Sequence, residues 1–370
     1  MIYLDNAATS FPKPKCVINE VRKCITEYCG NPGRSSHSLA IAAATKIYQT
    51  RELLSDFLGV DRCENIVFTP NATYAINLAI KGMITHKCHC ILSDIEHNSV
   101  LRPMQRCVDE LGCELSYYNS DLCPEEAIVP LIRDDTEFIV TTIASNVSGK
   151  VIDVRSLSHV AKKHNLRLII DASQYLGHIA LDLKDSYYTV ICSAGHKALF
   201  GIQGSGFAIF SSGAPINTLA EGGSGIDSFS HYMPILSPER YEPGTQATPA
   251  IASLFAGISY VRSIGAQRIA EHLNTLTEKT VEILKSRKNI KVYGAGNGIV
   301  SFNATGYSSS IFSELLNEYG IATRSGFHCA PSIHRKLGTE YMGTVRISFS
   351  YLNKVSELDK LNRALRSILS

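Results

Sequence analysis

The stretch Phe-Ile-Val-Thr-Thr-Ile-Ala-Ser-Asn-Val-Ser-Gly-Lys-Val-Ile-Asp-Val-Arg-Ser-Leu-Ser-His-Val-Ala-Lys-Lys-His-Asn-Leu-Arg-Leu-Ile-Ile-Asp, from Phe138 to Asp171, decides the fold class. It opens on a β-branched run, Phe138 to Thr142, crosses a segment with apolar residues at helical spacing, Leu157 to Lys163, and closes on the apolar run Leu168 to Ile170. Strand, helix, strand is the unit from which parallel sheets are built, because parallel neighbours need a long crossover between them. The same alternation continues in both directions. Ile66 to Thr69, His89 to Leu92 and Thr189 to Cys192 read as strands, and Ile41 to Leu58, Thr73 to Lys81 and Val100 to Leu111 read as helices. An α/β fold follows, with a mostly parallel sheet sandwiched by helices.

Beyond about Thr245 the pattern changes. Helices are expected at Ile251 to Ile264 and Ala270 to Arg287, then strands at Val300 to Asn303 and Val345 to Phe349 around a further helix, which together predict a smaller α+β lobe at the C-terminal end. Ser211 to Pro249, rich in Gly, Ser and Pro, reads as an irregular crossing between the lobes. With 370 residues, 45% of them hydrophobic, the chain can fill two such cores.

Charge excludes some functions. Thirty-six basic against 34 acidic residues leave a net charge of +2, no footprint for nucleic acid or an acidic membrane. Met1 runs into Ile-Tyr-Leu-Asp-Asn without a basic and then apolar leader, and no apolar run is long enough to span a bilayer, so a soluble, cytoplasmic protein is expected. The 11 cysteines are an odd number scattered along the chain, which suits reduced thiols better than a disulfide framework. In Cys88-His89-Cys90 the two cysteines share a strand face, but the second Cys/His pair of a structural zinc site is missing, and no metal site is expected.

Four short segments carry chemistry. In Ser-Ala-Gly-His-Lys-Ala-Leu-Phe-Gly-Ile-Gln-Gly-Ser-Gly, Ser193 to Gly206, Lys197 follows a strand and precedes a flexible glycine run, so its amine either reaches the cleft at the strand end or is a solvated cation. Asp171 ends a strand, where a carboxylate caps a helix or holds a protonated ring nitrogen. Asn71 to Ala75 lies between strand and helix, placing backbone amides and the Thr73 hydroxyl to cap that helix or to hold a phosphate at its positive end. His97, in Glu-His-Asn-Ser, offers a flat ring to stack on a ligand, or is a plain surface histidine.

In order along the chain, Tyr3 to Thr9, Gly30 to His37, the Asn-Ala-Thr loop, Glu-His-Asn-Ser, Ser145 to Gly149, Asp-Ala-Ser-Gln, Gly-His-Lys, Glu242 to Gln246, Arg324 to Pro331 and Thr344 to Ser348 resemble the class V aminotransferases, a family of fold-type I pyridoxal-phosphate transferases, and within it the cysteine desulfurases and selenocysteine lyases. The likeness covers essentially the whole chain. It implies a large cofactor-binding domain over 15–245 and a small domain formed by 1–14 and 246–370. It also implies pyridoxal 5'-phosphate held covalently by Lys197, with Asp171 on its ring nitrogen and His97 stacked on the ring and moving protons. By the same resemblance, Gln174 and Asn146 address the cofactor's phenolic oxygen or the substrate, and Ala72, Thr73 and His196 its phosphate. Thr245 reaches that phosphate across a homodimer with composite sites. Arg346 receives the substrate carboxylate, a task suited to its planar fork, with Asn146 and His37 also on the substrate side.

Cys329 sits in a Gly-Phe-His-Cys-Ala-Pro turn before the arginine-bearing strand, where a mobile loop can carry it to the cofactor and His328 adjoins it. A cysteine is often only a small buried hydrophobe; the resemblance implies a nucleophile that takes sulfur from L-cysteine, leaves alanine, and passes the persulfide sulfur to an acceptor protein. The short loop implies low activity alone and stimulation by that acceptor. The same residues also fit a selenocysteine lyase or related C–S/C–Se β-lyase acting on L-selenocysteine, and, in a different class, a non-catalytic sulfur-relay scaffold. Retention of Lys197, Asp171, His97 and Arg346 together argues against the scaffold. The chain departs from many relatives at Ala194, where they carry serine, and at Ile202, where they carry proline.

Overall fold

The computed structural model describes residues 1–33, 36–184, 186–211 and 216–369. Positions 34 and 35 of the Gly30 to His37 motif and 212–215 of the expected crossing lie outside the described residues. In chain order the elements are β1 (Ile2–Tyr3), α1 (Lys15–Lys23), α2 (Ser38–Leu58), β2 (Ile66–Thr69), α3 (Ala72–Met83), β3 (His89–Ser93), α4 (Asn98–Leu111), β4 (Glu114–Tyr118), α5 (Pro124–Ile128), β5 (Thr136–Thr142), α6 (Val154–Lys163), β6 (Arg167–Asp171), β7 (Val190–Ala194) and β8 (Gly206–Phe210). There follow α7 (Thr248–Ile264), α8 (Ala266–Lys285), β9 (Ile290–Gly296), β10 (Ile299–Ala304), α9 (Ser309–Glu318), β11 (Ile321–Ala322), α10 (Pro331–Leu337), β12 (Val345–Ser348) and α11 (Glu357–Ile368).

Seven strands form one sheet in the order β2-β8-β7-β6-β5-β3-β4, parallel except where β8 runs against both its neighbours. Because side chains alternate along a strand, each central strand feeds two cores. Ile139, Leu168, Ile170 and Ile191 pack on one face, and Phe138, Val140, Ile169 and Val190 on the other. The fold is α/β, as the strand–helix alternation predicts. A separate antiparallel sheet, β12-β10-β9, has its own core, which Leu4, Val17 and Phe200 join from earlier in the chain.

Local chemistry sets the helix starts. Asn71 caps α3 by accepting from the Tyr74 amide at 2.9 Å, and Asp153 caps α6 by accepting from Arg155 at 3.0 Å. The expected glycine run after Lys197 is not loose. Gly195 N donates to Ser205 O at 2.9 Å and Gly201 N to Gly195 O at 2.9 Å, closing a turn that launches β8. Gly206 is required there, since a Cβ would fall 2.5 Å from the carbonyl carbon of Asn71.

Candidate active site

Five segments converge at the carboxyl ends of the parallel strands, the crevice where open α/β sheets take their ligands. Together with the loop of Cys329 and strand β12, which carries Arg346, they enclose a cavity of about 230 Å³ whose walls include Ala72, Thr73, His97, Asn146, Asp171, Gln174, His196, Lys197, Cys329 and Arg346. Ten of the residues singled out from sequence thus line one cavity. His37 and Thr245 do not. His37 is exposed and caps α2, its Nδ1 accepting from the Ala40 amide at 3.2 Å, and Thr245 lines a separate cavity with Arg51 and Glu242.

Lys197 lies just past β7, and burial together with the positive charges of Arg346 and Arg324 lowers its amine to about 8, against the opposing pull of Asp171. Asp171, buried at the end of β6, accepts from the Ser173 amide at 2.9 Å and the Ser173 hydroxyl at 2.5 Å through Oδ1 alone, which leaves Oδ2 for the cavity. Its carboxylate is therefore both turn former and cavity acceptor. His97 is likewise double. It caps α4, with Nδ1 accepting from the Ser99 amide at 3.1 Å, so its ring proton sits on Nε2. Burial and the nearby Lys197 charge push the imidazole down to about 4, keeping it neutral. Ser99 Oγ then reaches Thr73 Oγ1 at 2.8 Å, tying the His97 turn to the start of α3.

The helix start offers an anion site. With Asn71 satisfying only Tyr74, the amides of Ala72 and Thr73 point into the cavity end of a 12-residue helix. His196 Nδ1 meets Thr9 Oγ1 at 3.1 Å, and burial with the charges of Lys197 and Lys13 lowers it to about 4. The departures have structural consequences. Ala194 brings no hydroxyl to the cavity wall, while Ser193 Oγ is buried without a partner among the described residues. Ile202 N donates to Ser253 Oγ at 2.8 Å, a bond proline cannot make.

On the opposite wall Arg346, 2% exposed, donates to Asp5 Oδ1 at 2.7 Å and to the Asn146 carbonyl at 3.0 Å, while its Nε has no partner among the described residues. Gln174 donates to Ala7 O at 2.8 Å. Asn146 donates from Nδ2 to His328 O at 2.7 Å, holding the loop between β11 and α10. In that loop His328 and Cys329 both adopt left-handed backbone, with φ of 50° and 57°, a strained pairing for residues with side chains. The loop is fastened rather than free. Cys329 O accepts from Asn98 N at 2.7 Å, and His328 Nε2 lies 3.1 Å from both Thr344 O and Thr344 Oγ1. Its thiol is exposed and already at the cavity mouth.

Asp5, Ser99 and Arg324 were not assigned roles from sequence. Asp5 and Arg324 lie inside quoted motifs, but only the fold shows that one carboxylate serves both Arg346 and, at 3.9 Å, Arg324. Ser99, two residues after a histidine cap, was the readable signal. In Cys88-His89-Cys90 the sulfurs lie 3.7 Å apart in the core, while His89 turns away to Thr136 at 2.7 Å and Ser116 at 2.9 Å. Among the described residues no cluster of three metal-binding side chains occurs, and no helix is long and apolar enough to cross a membrane.

A doubly oriented seven-stranded sheet, with lysine, carboxylate, imidazole, arginine and thiol around one cavity at its strand ends, defines a fold-type I transferase. The chain belongs to the class-V aminotransferase family, whose model matches residues 2–361. It is 30% identical over 380 residues to a probable cysteine desulfurase of Methanothermobacter thermautotrophicus, covering 99% of this chain and 94% of that one. It is equally 30% identical over 397 residues to a probable cysteine desulfurase of Borreliella burgdorferi, covering 100% and 92%. The solved cysteine desulfurase of Thermococcus onnurineus superposes with a TM-score of 0.92 at 29% identity, covering 100% of this chain and 94% of that one.

Proposed function

We propose that this chain is a pyridoxal-phosphate-dependent cysteine desulfurase, converting L-cysteine to L-alanine with the sulfur retained on Cys329. The observation that carries the reading is that the Cys329 thiol and the Lys197 amine face one cavity.

The donor set fits pyridoxal 5'-phosphate. An amine near neutrality is ready for a carbonyl, the free Oδ2 of Asp171 suits a protonated ring nitrogen, and the α3 amides with Thr73 and His196 suit the phosphate. Bound there, the cofactor supplies a conjugated ring that stabilises negative charge developing at the substrate α-carbon. The protein's groups do the rest. Lys197, held partly deprotonated, moves the α-proton, and His97, neutral and with Nε2–H toward the cavity, stacks and relays a proton. Arg346, on the cavity wall, takes the substrate carboxylate beside Asn146. The Cys329 thiolate attacks the substrate sulfur. The substrate C–S bond breaks, a new S–S bond forms, and protonation of the carbon leaves alanine, so cysteine plus Cys329 thiol gives alanine plus Cys329 persulfide.

A homodimer with composite sites belongs to this reading. Phe229, Tyr232, Ile235 and Leu236 are largely exposed, an apolar surface a lone chain rarely shows, and Thr245 lies outside the cavity of Lys197. The separate core around β10 supports a second lobe in the C-terminal part of the chain, while Ile251, Leu254 and Ile258 of α7 pack into the core of the large sheet. Eleven free thiols suit a cytoplasmic location, and the fastened Cys329 loop suits dependence on an acceptor protein.

The test is alanine release from L-cysteine by the holoprotein with dithiothreitol. Wild type should form alanine and sulfide, and Cys329→Ala neither. Continued turnover by Cys329→Ala would point instead to simple elimination from cysteine or selenocysteine.

A further inference from the structure

Cys329 lines two cavities. Besides the inner one, it heads an outer groove of about 380 Å³ between α3 and α4, which shares Thr73, His97 and Ser99 with the inner wall. One side of the groove is the stripe Thr73, Asn77, Lys81 and the other is Asn98, Arg102, Arg106, each set four residues apart and so on one helix face. Both stripes begin beside the thiol and become cationic outward. Lys81 and Arg102 have no ion-pair partner among the described residues, whereas Arg106 is paired with Glu110 at 2.7 Å. In a chain of net charge +2, two uncommitted cations beside an exposed reactive sulfur form a local positive field.

We propose that this groove seats an extended acidic segment of the sulfur acceptor, with the acceptor thiol at Cys329 and carboxylates at Arg102 and Lys81. The inference rests on the desulfurase reading and specifies the partner's chemistry. Rise along the helices puts Arg102 about 6 Å and Lys81 about 12 Å from the groove head, and an extended chain covers those spans in about two and four residues. The acceptor's acids therefore fall two and four residues from its cysteine. In the transfer, the acceptor thiolate attacks the outer sulfur of the Cys329 persulfide. The old S–S bond breaks, a new one forms on the acceptor, and Cys329 leaves as thiolate, with no outside oxidant or reductant. Two free cations are too few for a polyanion site, so a peptide is favoured over nucleic acid.

The experiment follows sulfur transfer from the holoprotein to two synthetic thiol peptides, Cys-Gly-Asp-Gly-Asp and Cys-Gly-Lys-Gly-Lys, and measures binding of labelled serine-for-cysteine versions by fluorescence anisotropy. Wild type should take the acidic peptide with a KM about tenfold lower, and the preference should shrink between about 50 and 500 mM salt. Arg102→Glu and Lys81→Glu should remove or invert it while alanine formation with dithiothreitol is unchanged. Equal KM and equal binding for the two peptides, a preference that survives both substitutions, or tighter binding of a single-stranded oligonucleotide than of the acidic peptide would overturn the inference. Failure of wild type to form alanine with dithiothreitol would overturn the desulfurase reading instead, and the anisotropy comparison would still decide the groove.

Discussion

Asp5 holds two guanidinium groups with one carboxylate, and the nearer of them, on Arg346, is buried. Removing that charge leaves Arg346 uncompensated in a dry wall, so Asp5→Asn should cost about 3 kcal/mol of stability and swing the arginine away from its working position. The expected kinetic signature is a KM for cysteine raised about tenfold with a smaller change in kcat, equivalent to about 1.4 kcal/mol of lost positioning. A kcat loss with unchanged KM would show that Asp5 does not act through the carboxylate site. At Lys197 the prediction concerns pH. With its amine lowered to about 8 by burial, the nucleophilic free base gains about tenfold per unit from pH 6 to 8 and then levels off. Capture of pyridoxal phosphate by the apo protein, followed by absorbance, should trace that curve, whereas a continued rise to pH 10 would mark an ordinary lysine. Linkage has the matching sign. The unfolded amine keeps its proton up to about 10.5, so between about 8 and 10.5 the unfolded state binds more protons and apo stability rises with pH. Lys197→Met should flatten that slope in denaturant titrations.

His97 shows how one side chain serves both an element and the cavity, since its Nδ1 caps α4 while its ring lines the cavity. Two substitutions separate the roles. His97→Asn keeps a capping acceptor and should hold stability within about 0.5 kcal/mol, whereas His97→Ala should lose about 1 kcal/mol. Both should lose most alanine formation, and if His97→Asn retains it the ring has no part in the chemistry. The Cys329 loop is a second such case. Asn146→Ala removes the donor to His328 O, one of the three fastenings of a strained left-handed pair, and should speed exchange of the Ala330 amide about tenfold, the worth of one hydrogen bond. Elements buried on both faces were legible because their apolar runs are continuous, as in β5 and β6, and α2 differs only at its start. Edge strand β4, half-exposed with the sequence Glu-Leu-Ser-Tyr-Tyr, and the exposed-faced β9 lack that run and were missed. β8 was hidden by the glycines before it, which read as flexibility but serve close backbone packing against Asn71.

At the scale of the whole molecule, the cavity residues legible in sequence are those whose side chains punctuate a strand end, such as Asp171 and Lys197, because sequence order alone brings strand ends together in a parallel sheet. Asp5 and Arg324 were not assigned, since their meeting joins the first turn of the chain to a loop over three hundred residues away, which no local pattern records. Within one copy, Thr245 lines a cavity separate from that of Lys197. If it completes a partner's site, the protein should elute at twice the chain mass, and Leu236→Asp on the exposed apolar arm should shift it toward monomer with loss of cofactor. A mixing experiment settles which chain Thr245 serves. Lys197→Ala cannot hold the cofactor covalently, and Thr245→Ala should hold it weakly, so each homodimer is impaired at both sites. Unfolded together and refolded at equal amounts, about half the dimers are mixed, and in each of these one site joins an intact Lys197 from one chain to an intact Thr245 from the other. About a quarter of all sites should then regain wild-type cofactor affinity and alanine formation. If Thr245 acts within its own chain, no mixed site is complete, and the refolded mixture should do no better than the average of its two parents.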